Sequence, residues 1–164
     1  MARETVALNL SGVAATEALA GRVAALARRG DMIGLSGGLG SGKTVFARAF
    51  IRARAARAGA APPDQVPSPT FTLVQVYEMP EAPVWHIDLY RLEKPEEAWE
   101  LGIEEAFSDG IALVEWPERL GRLAPAERLE VALDFVPGQP DARCARLVGH
   151  GDWARRLRRA HFDD

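Results

Sequence analysis

The sequence predicts one α/β domain built on a mixed sheet, and three observations predict it. A compact apolar run at 31–36 (DMIGLS) leads into a glycine-rich loop and then a stretch of helical periodicity. A second continuous apolar run, Ile111 to Val114, has the make-up of a strand buried on both faces of a parallel sheet. Two alternating segments, 128–136 and 143–148, are separated by PGQPD, a hairpin signal. Parallel interior strands and an antiparallel hairpin in one chain make the sheet mixed.

In chain order, 5–10 (TVALNL) alternates and reads as a short strand. Residues 13–29 are rich in Ala and Leu, with Leu19, Val23 and Leu26 at helical spacing, and Gly30 is the expected C-cap. After the strand at 31–36 and the loop, a helix is expected over 43–58 with Val45, Phe46, Ala49 and Phe50 on its apolar side. Residues 59–70 hold four of the eleven prolines and are expected to be an exposed connector. Residues 71–77 and 84–90 read as two strands joined by a turn, and 94–107 as one or two short helices broken at Gly102. A short helix at 152–160 closes the chain. No repeat or linker divides it, so residues 1–164 are read as a single domain.

At 164 residues the chain is large enough for a core without disulfide or metal staples. The net charge of -3 provides no global attraction to nucleic acid or anionic membrane. The single cysteine, Cys144, excludes an internal disulfide and a Cys-cluster zinc site. No run of about eighteen apolar residues is present, and the first residues lack the apolar core of a signal peptide, so a cytoplasmic protein with no membrane contact is expected. The cations are almost all arginine. One of the two lysines is Lys43, inside the glycine loop, where a compact ammonium fits between phosphates as a planar guanidinium does not.

Gly37-Gly38-Leu39-Gly40-Ser41-Gly42-Lys43-Thr44 matches G-x-x-x-x-G-K-[ST] without a gap, after a predicted strand and before a predicted helix. Such a loop points backbone N–H groups at phosphates, and the following helix N-terminus adds a positive dipole end. Lys43 is expected to reach the β- and γ-phosphates and the Thr44 hydroxyl to ligate Mg²⁺. The dinucleotide fingerprint fails, because Lys43 stands where its third glycine belongs. The loop therefore predicts a purine nucleoside triphosphate with Mg²⁺.

A site of this kind needs a carboxylate near the metal, at the end of a neighbouring apolar strand. Glu115 ends IALVE and supplies it; Asp88, in WHIDLYR, is a second candidate. Alternation sets His86, Asp88 and Tyr90 on one face of their strand, suggesting a cleft, with Ile87 and Leu89 on the other. His86 alone reads more readily as a structural histidine than as a catalytic one. Arg91 is either a charge-stabilising residue near the γ-phosphate or a salt-bridge former. Thr70, in Ser68-Pro69-Thr70, either contacts Mg²⁺ or the γ-phosphate in a switch-like loop or is an ordinary turn hydroxyl.

Together these motifs resemble the TsaE (YjeE) family, the bacterial ATPases of tRNA threonylcarbamoyladenosine synthesis. The family's loop G-[DEN]-L-G-[AS]-G-K-T is seen as GGLGSGKT, followed in order by SPTFTLV (68–74), HIDLYRL (86–92), LGIEE (101–105) and Glu115-Trp116-Pro117. The resemblance spans about residues 5 to 148 and implies a three-layer P-loop NTPase-like fold. It implies an ATPase, weak alone, that assists the TsaB–TsaD pair through repeated rounds of threonylcarbamoyl transfer and meets tRNA through that complex. By the same resemblance the cofactors are ATP and Mg²⁺. Gly38, Leu39, Gly40, Ser41, Gly42, Lys43 and Thr44 hold phosphate, with Lys43 also catalytic. Thr44, Asp88 and Glu115 serve the metal, the two carboxylates also serving the attacking water. Thr70 falls in the switch-like loop, Trp116 follows the metal carboxylate, and Thr16 lies near the base. Gly38 departs from the family's acidic or amide residue, which touches loop rigidity or a partner rather than phosphate binding.

Arg155, Arg156, Arg158 and Arg159 form a basic face on the last helix, opposite Trp153, Leu157 and Ala160. A solvated face on a docked helix is expected, with tRNA or an acidic patch on TsaD as the sharper alternative. Two other functions stay open. One is a small-molecule kinase, for which Arg119 and Arg122 follow the Glu115 strand without a visible lid insertion. The other is a nucleotide switch that does not hydrolyse.

Overall fold

The computed structural model describes residues 1–70 and 73–162. Among the described residues seven strands form one sheet: β1 (Arg3–Leu10), β2 (Met32–Ser36), β3 (Val74–Tyr77), β4 (Val84–Asp88), β5 (Ile111–Glu115), β6 (Arg128–Val136) and β7 (Gln139–His150), in the order β1-β7-β6-β2-β5-β4-β3. β6, β2, β5 and β4 run parallel, while β7 and β3 pair antiparallel to their neighbours. The mixed sheet expected from the sequence is the one formed. The start of the expected 71–77 strand, Phe71 and Thr72, lies outside the described residues.

The pleat sorts the side chains of the central strands into two cores. Ile33 and Leu35 of β2, Ile111 and Leu113 of β5, and Leu129, Val131 and Leu133 of β6 face α1 (Val13–Leu26), α2 (Lys43–Arg57) and α4 (Asp152–Ala160). Met32, Ile87, Ala112 and Val114 face α3 (Ile103–Asp109) and 3₁₀ segments at Pro95–Leu101 and Pro117–Leu123. The helix break expected at Gly102 is present, with Gly102 at φ 84. The segment after β5 was not legible as an element; it begins at Pro117, whose fixed φ suits a first helical position.

Several boundaries differ from the expectation for identifiable reasons. α1 stops at Leu26, and Gly30 does not cap it. The buried Arg54 of α2 donates to the carbonyls of Ala24 and Ala27 at 3.0 Å each, satisfying acceptors that a glycine cap would otherwise serve. Asp31 then accepts the Arg28 N–H at 2.6 Å and holds the turn before β2. On α2 the buried stripe is Phe46, Ala47, Phe50, Ile51 and Ala55, with Val45 and Ala49 only half-buried. The connector at 59–70 has neither helix nor strand, as expected, but Val66 is buried, its carbonyl held by Arg48 Nε at 2.5 Å.

β4 ends at Asp88 rather than Tyr90, because Asp88 Oδ1 accepts the Tyr90 N–H at 2.9 Å and turns the chain. The PGQPD hairpin is tighter than expected. The chain reverses between Val136 and Gln139, and the register slips before Phe135 meets Arg143, so Pro140 sits in an irregularity that requires no donor from it. α4 occupies the expected residues and docks Trp153 and Leu157 on the sheet, but its cations are not a uniform solvated face. Arg156, half-buried, pairs with Asp31 at 2.6 Å and Asp152 at 2.7 Å, and Arg158 pairs with Glu4 at 2.7 Å. Among the described residues no helix is long and apolar enough to cross a membrane.

Candidate functional site

Ligands of open α/β sheets collect beyond the carboxyl ends of parallel strands, and the expected residues are found there. β2 ends at Ser36 and hands the chain to the glycine loop, and α2 starts at Lys43. β5 and β4 run beside β2 in the same direction, so their last residues, Glu115 and Asp88, emerge at the same edge and oppose each other in the pairing. A cleft of about 290 Å³ opens there. Leu39, Gly40, Gly42, Lys43, Thr44, Thr70, Asp88 and Glu115 all line it, with Tyr90 and Trp116. The cleft suggested by the polar face of β4 is therefore real at Asp88, whereas His86 lies fully buried beneath it.

The loop has the geometry its sequence demands. Gly37 has φ 140, and a Cβ there would collide with the Leu133 carbonyl and the Ser41 hydroxyl, so only glycine fits. The Ser41 hydroxyl is buried and has no hydrogen-bond partner among the described residues. Lys43 is 6% exposed, and its Nζ donates to the carbonyls of Gly37 at 2.6 Å and Gly38 at 3.0 Å. Burial pushes its pKa below the ordinary lysine value, against the opposing pull of Glu115, Asp88 and Glu118. The same ammonium lies 4.4 Å from the centroid of the Trp116 ring, which packs on Tyr90 at 5.0 Å. Trp116 stands at φ 60, ψ 51, a left-handed conformation uncommon for a bulky side chain, and it turns the chain immediately after Glu115.

The two carboxylates are held differently. Asp88 Oδ2 accepts the Thr70 hydroxyl at 3.2 Å, and Thr70 Oγ1 lies 2.7 Å from Ser68 Oγ, so the switch-like loop is tied to the end of β4. Glu115 Oε2 lies 2.6 Å from His86 Nε2. Among the described residues no group of three or more His, Cys, Asp and Glu is placed to hold a metal. The cleft instead presents oxygens, among them the hydroxyl of Thr44 and the carboxylates of Asp88 and Glu115. Those hard oxygens fit Mg²⁺, an ion bound by few protein ligands together with substrate phosphates rather than by an all-protein cage.

Sequence reasoning missed Arg143. This residue of β7 grips the outside of the loop, donating to the Ser41 carbonyl at 3.0 Å and the Gly40 carbonyl at 3.2 Å, with its guanidinium 4.6 Å from the Phe135 ring. A Cβ on Gly38 would face that same ring at 3.7 Å. The position where the chain departs from the family pattern is thus backed by the hairpin. No linear signal links residues about a hundred positions apart. Thr16 is buried on α1 and is not among the residues lining the cleft.

The chain is similar to known proteins by family profile, by sequence and by structure. The sequence profile described as Threonylcarbamoyl adenosine biosynthesis protein TsaE matches residues 10–141. A protein of Rickettsia bellii (strain RML369-C) described as tRNA threonylcarbamoyladenosine biosynthesis protein TsaE is 39% identical over 74% of this chain and 81% of its own. One of the same description from Bacillus subtilis (strain 168) is 38% identical over 72% of this chain and 70% of its own. The crystal structure of Bacillus subtilis YdiB superposes with a TM-score of 0.78 at 26% identity, over 100% of this chain and 99% of that one.

Proposed function

The chain belongs to the TsaE family, and from that premise we propose that it is the ATP-hydrolysing component of the machinery that makes threonylcarbamoyladenosine in tRNA. It acts in the cytoplasm with TsaB and TsaD, and its turnover of ATP, assisted by Mg²⁺, resets the TsaB–TsaD pair between rounds of transfer. The observation that carries this reading is the convergence of Lys43, Thr44, Asp88 and Glu115 on one cleft at the mouth of a glycine loop.

The chain's own residues divide the work. The loop and the N-terminus of α2 receive the phosphates, and Lys43 exchanges the carbonyls of Gly37 and Gly38 for phosphate oxygens. Thr44, Asp88 and Glu115 would hold Mg²⁺, which would supply positive charge against the charge that develops on the phosphates. Thr44 and Glu115 present oxygens to the metal. Asp88 is fixed by Thr70 and by the Tyr90 N–H at the cleft edge, where it serves the metal or orients water.

The test is multiple-turnover transfer by TsaB and TsaD with added wild-type protein or with Lys43→Ala, Thr44→Ala, Asp88→Ala and Glu115→Ala. Wild type is expected to sustain turnover and each variant to stall it near one round. Sustained turnover without this protein sinks the proposal. Retained turnover with Asp88→Ala and Glu115→Ala that still bind nucleotide makes the protein a switch that does not hydrolyse.

A further inference from the structure

His86 is fully buried in the middle of β4, and the role proposed above gives it no task. Its ring is unevenly satisfied. Nε2 lies 2.6 Å from Glu115 Oε2, while Nδ1, equally buried, has no hydrogen-bond partner among the described residues. The pairing explains the reach. Asp88 is opposite Glu115 and His86 opposite Leu113, so the contact runs diagonally between neighbouring strands on the face that carries Asp88 toward the cleft.

A histidine retained for packing is expected to satisfy both nitrogens, since a buried polar atom left bare costs about 1–3 kcal/mol. Here only the nitrogen that faces the carboxylate is served. The favoured tautomer carries its proton on Nε2 and donates it to Oε2, leaving a bare acceptor at Nδ1 instead of a bare N–H. With Oε2 committed to the imidazole, the other carboxylate oxygen is left for the cleft that Glu115 lines. Glu115 is itself 3% exposed, and an apolar residue at 86 would strip it of this donor.

We propose that His86 is a positioning residue for Glu115: its Nε2–H fixes the rotamer of the carboxylate so that one oxygen is presented to the Mg²⁺ of a bound nucleotide. The inference rests on the reading of Glu115 as the metal carboxylate. Partners of this outer kind change metal affinity by about 10–100-fold when removed.

The test measures the affinity of the full chain for a non-hydrolysable ATP analogue by calorimetry, with Mg²⁺ and with EDTA, and takes the ratio as the gain due to magnesium. Four variants are compared with wild type: Glu115→Gln, His86→Leu, His86→Gln, whose amide nitrogen reaches about where Nε2 stands, and His86→Asn, which is too short. The expected result is a gain lowered at least about tenfold in His86→Leu and His86→Asn, retained in His86→Gln, with affinity in EDTA unchanged throughout. If His86→Leu does not fold, the contrast between Asn and Gln decides. Equal gains in those two overturn the inference, as does an equal loss of affinity with and without Mg²⁺, which marks a purely structural histidine. A full gain in Glu115→Gln fails the reading of Glu115 itself and takes the inference with it. A gain lost in Glu115→Gln but kept in every His86 variant fails the inference alone.

Discussion

The ammonium of Lys43 rests 4.4 Å from the centre of the Trp116 indole while it donates to two carbonyls of its own loop. A cation over an indole face is worth about 0.5–2 kcal/mol, so without nucleotide this lysine is occupied rather than idle. On the proposed reading phosphate would draw Nζ away, and Trp116 would then lose the charge over its ring. ATP analogue binding is therefore expected to change tryptophan fluorescence, and Trp116→Phe is expected to abolish that change with affinity altered by less than about tenfold. Trp85 and Trp153 are buried and do not line the cleft, and Trp99 is exposed elsewhere. A fluorescence change that survives Trp116→Phe refutes the assignment.

Arg143 braces the loop from the side away from phosphate. Its donors face the carbonyls of Gly40 and Ser41, which holds those carbonyls outward and frees the inner side of the loop for an anion. A charge-assisted hydrogen bond contributes about 1.5–3 kcal/mol. Arg143→Ala is expected to weaken nucleotide binding by about tenfold while the melting temperature without nucleotide stays within about 2 °C. Unchanged affinity in a calorimetric titration would show that the loop holds its shape unaided.

The glycine loop, the Glu115 strand and the hairpin were legible in the sequence because each rests on local pattern: a fixed loop spacing, an apolar run, an alternation around a proline turn. What was illegible depends on partners distant in the chain. Arg54 removes the need for the Gly30 cap, and Arg143 meets the loop from about a hundred residues away. His86 reads as an ordinary strand residue until Glu115 is brought beside it. Trp116 in a left-handed conformation has no sequence signal either, since glycine is the residue that announces such a bend.

The basic character of α4 has a structural use that the expected solvated face did not foresee. Arg156 is bidentate to Asp31, with NH1 to Oδ2 at 2.6 Å and NH2 to Oδ1 at 3.0 Å, and both side chains are about one-tenth exposed. Removing one partner of a buried pair costs about 3–5 kcal/mol, because the other is left charged and unpaired. Asp152 still meets Arg156, which places Asp31→Ala at the low end, about 3 kcal/mol. For a domain of this size that lowers the melting temperature by about 6–12 °C. A drop under about 3 °C in a calorimetric scan counts against the pair as a tether.

The lowered pKa of Lys43 is expected to set an alkaline limb on the proposed nucleotide binding. Burial disfavours the charged ammonium, so the folded pKa lies below the unfolded value of 10.5. For folding, the sign is that of a depressed group: stability rises as pH climbs from the folded pKa toward 10.5, and is lost again as pH falls through the folded pKa. For binding the sign is opposite. Phosphates favour the ammonium, so nucleotide raises the pKa of Lys43, and binding above the lowered value must take up a proton. Affinity is therefore expected to decline as pH rises through the window between the lowered pKa of the free protein and the higher pKa of the complex, with flat behaviour below it. Calorimetry in buffers of differing ionisation enthalpy reads the proton directly: uptake approaching one per site at the alkaline end and none from Lys43 near neutrality. Binding that takes up no proton anywhere in that window shows that Lys43 does not meet the phosphates as an ammonium.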